Sequence, residues 1–298
     1  MGGKQVKIID AHIHFANQDY FSQTALLAGH ENTVSHLENV MGKNNIIFAI
    51  AMGADSDDDN LSAEAIGIDL AGKLDLATYN QPQWVSYCCA IQSEAVTKER
   101  MQASLDSVER HLKTRQCVGI KFYTGYNHVY LADKRHAPFF ELAQYYDVPV
   151  VVHTGDTANA EALLKYSHPL TVDEAAVKFP RVRFVMAHYG NPWIVDATQV
   201  VKKNPNVFID LSGLAQGNFE VSGFLKNYEG YIQHLRTWMA YLGSYEKIMY
   251  GSDWPLVNLD SYIALIQAIV PEKYHEGVFF ENVQQVFPKI VPLLCHLL

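Results

Sequence analysis

The sequence predicts an α/β fold: a distorted (β/α)8 barrel, one domain over residues 1–298, with long loops at the carboxyl ends of its strands. Three observations predict it. Eight short apolar runs alternate with stretches of helical period, the pattern of parallel strands buried on both faces. No glycine-rich phosphate fingerprint follows any run, which disfavours an open, doubly wound nucleotide-binding sheet. The chain shows no repeat, low-complexity stretch or linker, and closed α/β barrels reach ~250 residues as one unit.

The first strand spans residues 6–14 and ends in Asp10-Ala11-His12-Ile13-His14. A polar, aromatic stretch follows, then a short helical pattern around Leu37, Val40 and Met41. The second strand is the unbroken run 46–52, bounded by Asn45 and Gly53. Asp55, Asp57, Asp58 and Asp59 come next, without calcium-loop spacing, and read as a solvated loop. Helical spacing resumes over 61–76, and 84–91 is the third strand. Residues 97–113 form a helix with Thr97 as its cap, and 118–123 the fourth strand. An amphipathic helix carries Phe139, Phe140, Leu142 and Ala143. Strands five to eight fall at 148–153, 183–188, 207–211 and 247–250, with helices at 173–179, 192–203, 231–242 and 259–269. Pro149 stands at the start of strand five, where a missing donor is tolerated.

Composition narrows the function. Hydrophobic residues make up 49% and charged residues 18%, which suits a large core in a soluble protein. A net charge of -9 with scattered lysines opposes nucleic-acid binding. No run of ~20 apolar residues suggests a membrane span, and the four cysteines have neither metal nor disulfide-framework spacing. A cytoplasmic protein with a small-molecule substrate is expected.

Chemistry gathers at the strand ends. In a barrel, a polar residue that interrupts a buried strand at its carboxyl end faces the active site. Here strand one ends in His12 and His14, strand four in Lys121, strand five in His153 and strand six in His188; strand eight runs into Gly251-Ser252-Asp253-Trp254-Pro255. Side chains two apart on a strand share a face, so His12 and His14 converge, with Asp10 behind them. Such a pair offers two imidazole ligands to zinc or a similar ion; the alternative is a pair of ordinary surface or hydrogen-bonded histidines. Tyr123, Tyr126, Asn127 and His128 follow strand four, where they either line the mouth or simply pack; Trp193 and Trp254 are placed to form a pocket wall, and His168, within reach of the mouth, reads first as an exposed loop histidine. Asp156 is a candidate to orient a ligand histidine. His30, His36, His111, His136, His234, His275 and His296 read as ordinary structural or surface histidines.

Taken in order, Asp10-Ala11-His12-Ile13-His14, Val151-Val152-His153-Thr154-Gly155, Phe184-Val185-Met186-Ala187-His188-Tyr189-Gly190 and Tyr250-Gly251-Ser252-Asp253-Trp254-Pro255 resemble the metal-dependent amidohydrolase superfamily. The likeness is to the amidohydrolase 2 group, which includes aminocarboxymuconate-semialdehyde decarboxylase-like enzymes. The resemblance implies one divalent ion, zinc first and manganese or another ion next, held by His12, His14, His153 and Asp253. It makes His188 an uncoordinated catalytic histidine and Asp253 both ligand and proton acceptor. From their positions rather than the resemblance, Tyr123, Tyr126 and Trp254 are expected to bind substrate, Lys121 to bind substrate or tune the site, and Asp10 and Asp156 to support the ligands. Related two-metal enzymes carry a carbamylated lysine on strand four; a second ion on a carbamylated Lys121 is the lesser alternative.

Hydrolysis of an amide, lactone or ester by a metal-activated water is the first functional expectation. Nonoxidative decarboxylation of a small unsaturated or aromatic acid is the second, with Lys121, Lys134, Arg135 and Arg236 as cations for the carboxylate. An inert barrel used as a binding protein is the third, and the intact strand-end groups oppose it. A homodimer is the expected assembly.

Overall fold

The computed structural model describes residues 6–16, 19–53, 81–295 and 297. The acidic patch at Asp55–Asp59 and the helical pattern at 61–76 lie outside them. Eight parallel strands pair in sequence order: β1 (Ile8–Ile13), β2 (Ile46–Met52), β3 (Val85–Ile91), β4 (Cys117–Phe122), β5 (Val150–Val152), β6 (Phe184–Met186), β7 (Val207–Asp210) and β8 (Ile248–Met249). The ring closes between β8 and β1, where Ala11 N–H donates to Tyr250 O at 3.0 Å and Ile13 bridges Trp254. This is a (β/α)8 barrel.

The unbroken apolar runs form strands because both of their faces are buried. Side chains alternate between two cores. Val150 and Val152 of β5, and Phe184 and Met186 of β6, join the outer core between the strands and the helices. Val151 and Val185 face the lumen with Ile9, Phe48, Ile50, Met52, Val118 and Met249.

One end of the lumen is stoppered by the C-terminal segment, whose Val283, Val286, Phe287, Ile290, Leu293 and Leu294 join the inner core. Burying each such side chain fully is worth ~1.5–3 kcal/mol. The stopper sits at the amino-terminal ends of the strands. There Lys289 Nζ donates to the carbonyls of Leu112, Thr114 and Cys117, and Arg183 Nε donates to Val286 O. The strand-end histidines therefore stand at the opposite end from the stopper, at the carboxyl ends of the strands.

Two local expectations change. The stretch after β1 contains a helix, Asp19–Leu27, which brings Phe21 against His14 with ring centroids 4.9 Å apart. The helix expected from Thr97 begins at Met101; Thr97 Oγ1 instead accepts from Arg100 N in the preceding turn. Among the described residues, no helix is long and apolar enough to cross a membrane.

Candidate metal centre

The segment after β8 is fastened to β1 along its length. Asp253 N–H donates to His12 O at 2.8 Å and His14 N–H to Trp254 O at 2.6 Å. The Asp10 carboxylate accepts from Ser252 N at 2.9 Å and His12 N at 3.2 Å. A Cβ on Gly251 would lie 2.9 Å from the Cβ of His12, so only glycine lets the two segments approach so closely. Asp253 itself takes a left-handed φ of 67°, a strained backbone of the kind that gathers at functional sites. The result is a cluster: Asp253 Oδ1 lies 3.2 Å from His14 Nε2 and 3.4 Å from His12 Nε2. Both His12 Nε2 and Asp253 Oδ1 are buried without an aligned hydrogen-bond partner among the described residues.

β5, β6 and β7 supply the opposite wall. Nε2 of His153 donates to Asp156 O at 2.9 Å, so a neutral His153 presents a bare Nδ1. That nitrogen lies 3.1 Å from Nε2 of His188. His188, at a left-handed φ of 62°, directs Nδ1 to Ser212 Oγ at 2.9 Å. The Ser212 hydroxyl donates to Asp210 Oδ1, so toward His188 it accepts, and Nδ1 of His188 carries the hydrogen. Two bare nitrogens consequently face each other across 3.1 Å. A cation or proton between them relieves their repulsion.

Asp210 was not singled out in the sequence, yet it reaches both histidines. Its Oδ2 accepts from His12 Nδ1 at 3.0 Å, and its Oδ1 accepts from the backbone amides of His188 and Ser212, each at 3.1 Å. The signal was present, since Asp210 is the last residue of β7 and so meets the strand-end criterion that selected the others.

A family model described as "Amidohydrolase" matches residues 90–288. The chain belongs to the amidohydrolase family. The match begins within β3, so His12 and His14 precede it. No curated protein matches the chain. The amidohydrolase resembles solved structures at low identity. One is 5-carboxyvanillate decarboxylase from Sphingomonas paucimobilis: 14% identical, TM-score 0.62, covering 95% of this chain and 99% of the other. Another is a probable 2-pyrone-4,6-dicarboxylic acid hydrolase from Acinetobacter baumannii with citric acid bound: 16%, TM-score 0.60, 96% and 100% covered. A third is 5-carboxyvanillate decarboxylase from Novosphingobium aromaticivorans, complexed with manganese and 4-hydroxy-3-methoxy-5-nitrobenzoic acid: 13%, TM-score 0.60, 96% and 97% covered. At such identities the likeness is one of fold. Members of the family are metal-dependent enzymes, hydrolases or decarboxylases.

The donor set of this amidohydrolase fits a divalent ion. Ligand atoms of His12, His14 and Asp253 lie within 4.8 Å of one another, and so do those of His12, His188 and Asp210. The first set has the orphaned atoms; in the second, Asp210 is engaged in hydrogen bonds. His153 stands outside both sets and meets the cluster through His188. Burial pushes His12 and His153 down and His188 down to about 4, which holds these three imidazoles neutral. Burial alone would raise the Asp253 carboxyl, but His188, His14 and His12 outweigh it and hold Asp253 ionised. Neutral imidazoles and an ionised carboxylate are the states a metal requires.

Lys121 is wholly buried, and its Nζ has no hydrogen-bond partner among the described residues. It lies 5.0 Å from the Tyr123 ring centroid, and burial lowers its pKa to about 8 despite Asp210 and Asp253. Tyr126 sets its ring against His153 at 4.9 Å, and its hydroxyl accepts from Ala158 N.

Two expectations are corrected, for Asp156 and Trp254, and the supporting role expected of Asp10 takes a specific form. Asp156 holds His153 through its backbone carbonyl, while its exposed carboxylate accepts from Thr157 N. Trp254 exposes no surface to a ligand; it is fully buried against His30, at 4.6 Å between centroids, and His36. Asp10 supports the site through backbone amides and touches no imidazole, and burial raises its carboxyl to about 7. Of the softer candidates, His168 packs on Trp193 with centroids 4.8 Å apart and lies 3.6 Å from Asp196.

Proposed function

We propose that this amidohydrolase hydrolyses a C–N or C–O bond of a small molecule, an amide, lactone or ester, with one divalent ion held by His12, His14, His153 and Asp253. The observation that carries the reading is that His12 Nε2 and Asp253 Oδ1, both buried and without an aligned hydrogen-bond partner among the described residues, lie 3.4 Å apart at the barrel mouth. Unpaired buried polar atoms cost ~1–3 kcal/mol each, so their convergence needs a ligand to justify it. An ion held by these residues would supply Lewis acidity and make water a stronger nucleophile at neutral pH.

The chain's own groups handle the proton and the substrate. Asp253 is ionised and accepts the proton of the attacking water. His188 Nε2 is bare, and a proton arriving there is stabilised through Ser212 by the Asp210 carboxylate, as in an acid–histidine relay. The Lys121 ammonium, with no hydrogen-bond partner among the described residues, offers its charge to the substrate oxygen on which negative charge develops. Zinc suits the three-imidazole, one-carboxylate set, and manganese is the next choice.

A second reading has one specific observation behind it. A buried cation without a hydrogen-bond partner among the described residues also suits a substrate carboxylate, which favours decarboxylation of an unsaturated or aromatic acid. Metal-loaded protein assayed against amides, lactones and esters, and in parallel for carbon dioxide release from hydroxybenzoates, separates the two. Hydrolysis that stops when the metal is chelated is expected. Carbon dioxide release without hydrolysis would replace the first reading by the second.

A further inference from the structure

We infer that Asp210 is a positioning residue that fixes the hydrogen placement of His12 and His188 together, so that each presents a bare Nε2 to the pocket. The inference rests on the metal-centre reading of that pocket and deepens it.

The argument is one of donors and acceptors. An ionised carboxylate only accepts, so the 3.0 Å contact from Oδ2 to His12 Nδ1 requires the hydrogen on Nδ1. Oδ1 faces three donors: the amides of His188 and Ser212 and the Ser212 hydroxyl. Because that hydroxyl is committed to Asp210, its oxygen accepts from His188 Nδ1. One carboxylate thus holds a β1 ligand directly and the β6 histidine through one serine.

The same count forecasts what an amide would do. In Asp210→Asn the amide oxygen must stay on the side with three donors, which turns the NH2 toward His12. A donor there drives the His12 hydrogen to Nε2, the atom nearest Asp253, and removes that nitrogen as a ligand. Ser212→Ala leaves the His12 contact intact and releases only His188.

Long-range 1H–15N correlation spectra of the metal-free protein read each imidazole directly, and titration with Mn2+ or Zn2+ reads the ligand set. In the unmodified protein, hydrogens on Nδ1 of both His12 and His188 are expected. Asp210→Asn should move the His12 hydrogen to Nε2 and weaken metal binding ~10–100-fold. Ser212→Ala should preserve His12 and metal affinity while the His188 tautomer becomes mixed and the pH profile of activity shifts. A His12 hydrogen on Nε2 in the unmodified protein, or unchanged His12 and metal affinity in Asp210→Asn, overturns the inference. Asp253→Ala tests the metal centre separately: full metal retention there sinks that reading, while the tautomer spectra still decide the role of Asp210.

Discussion

A Cβ added to Gly213 would lie 2.7 Å from Nδ1 of His188 and 3.2 Å from Oδ2 of Asp253. Gly213 also has a φ of 65°, which side-chain-bearing residues rarely adopt. Its emptiness lets the loop after β7 press against the ring without displacing it. Gly213→Ala should cost roughly 1–2 kcal/mol from backbone strain and push His188 off Ser212. Activity should fall at least ~10-fold, because small misplacements of reacting groups are costly. Melting temperature and kcat measured together check this, and an alanine variant with full activity would show that His188 tolerates movement.

The barrel was legible because its strands are apolar on both faces, so β2 and β5 stand out as continuous runs however their side chains point. Strand-end polarity likewise exposed His12, His14, His153, His188 and Lys121. Asp210 escaped because Leu211 follows it and prolongs the apolar run, whereas the strand ends at the aspartate. Trp254 was misplaced for a geometric reason: the left-handed turn at Asp253 sends the indole into the packing around His30, and a motif does not encode that direction. The role of Asp156 was hidden because its backbone carbonyl does the work, and any residue type supplies a carbonyl. The stopper at 283–294 depends on contacts with strands far away in sequence.

Acid should destabilise the protein before its ion pairs titrate. Outside the site, burial lowers His30, His111 and His136 from 6.5 to about 4. Below pH 6.5 the unfolded chain takes up these protons and the folded chain does not, so stability falls as pH drops from 6.5 toward 4 and then levels. Asp10 runs the other way: its carboxyl, raised from 3.8 to about 7, keeps a proton that the unfolded chain has lost over the same window. Across these four groups alone, three histidines against one carboxyl leave a difference of two protons, or about 3 kcal/mol per pH unit at the steepest, and the lowered site histidines act in the same direction. Urea unfolding at pH 7, 6 and 5 measures the slope. A flat profile would mean that these histidines titrate normally in the folded protein.

Removing the metal should be visible in stability alone. An ion that binds only the folded chain adds RT ln(1 + [L]/Kd), about 2.7 kcal/mol at a hundredfold excess over Kd. Chelated protein should therefore melt ~4 °C below the saturated protein and recover on addition of Zn2+ or Mn2+. His14→Ala should abolish most of that difference. Identical melting curves with and without chelator would remove the case for a resident ion.

Lys121 offers the sharpest division between stability and activity. Its ammonium is buried at 0% exposure, has no aligned hydrogen-bond partner among the described residues, and with a divalent ion nearby would face like charge. Replacing a buried, unpaired charge by an apolar side chain of similar length relieves desolvation. Lys121→Met should accordingly melt at the same temperature or higher and bind metal at least as tightly, while kcat/KM falls ~100-fold. How that loss divides identifies the chemistry. A cation that meets charge only as the carbonyl oxygen becomes an oxyanion lowers kcat with KM nearly unchanged. A cation that already holds a substrate carboxylate in the ground state raises KM instead. The first division is expected for hydrolysis and the second for decarboxylation. A variant that melts well below the parent would show that Lys121 supports the barrel rather than the reaction.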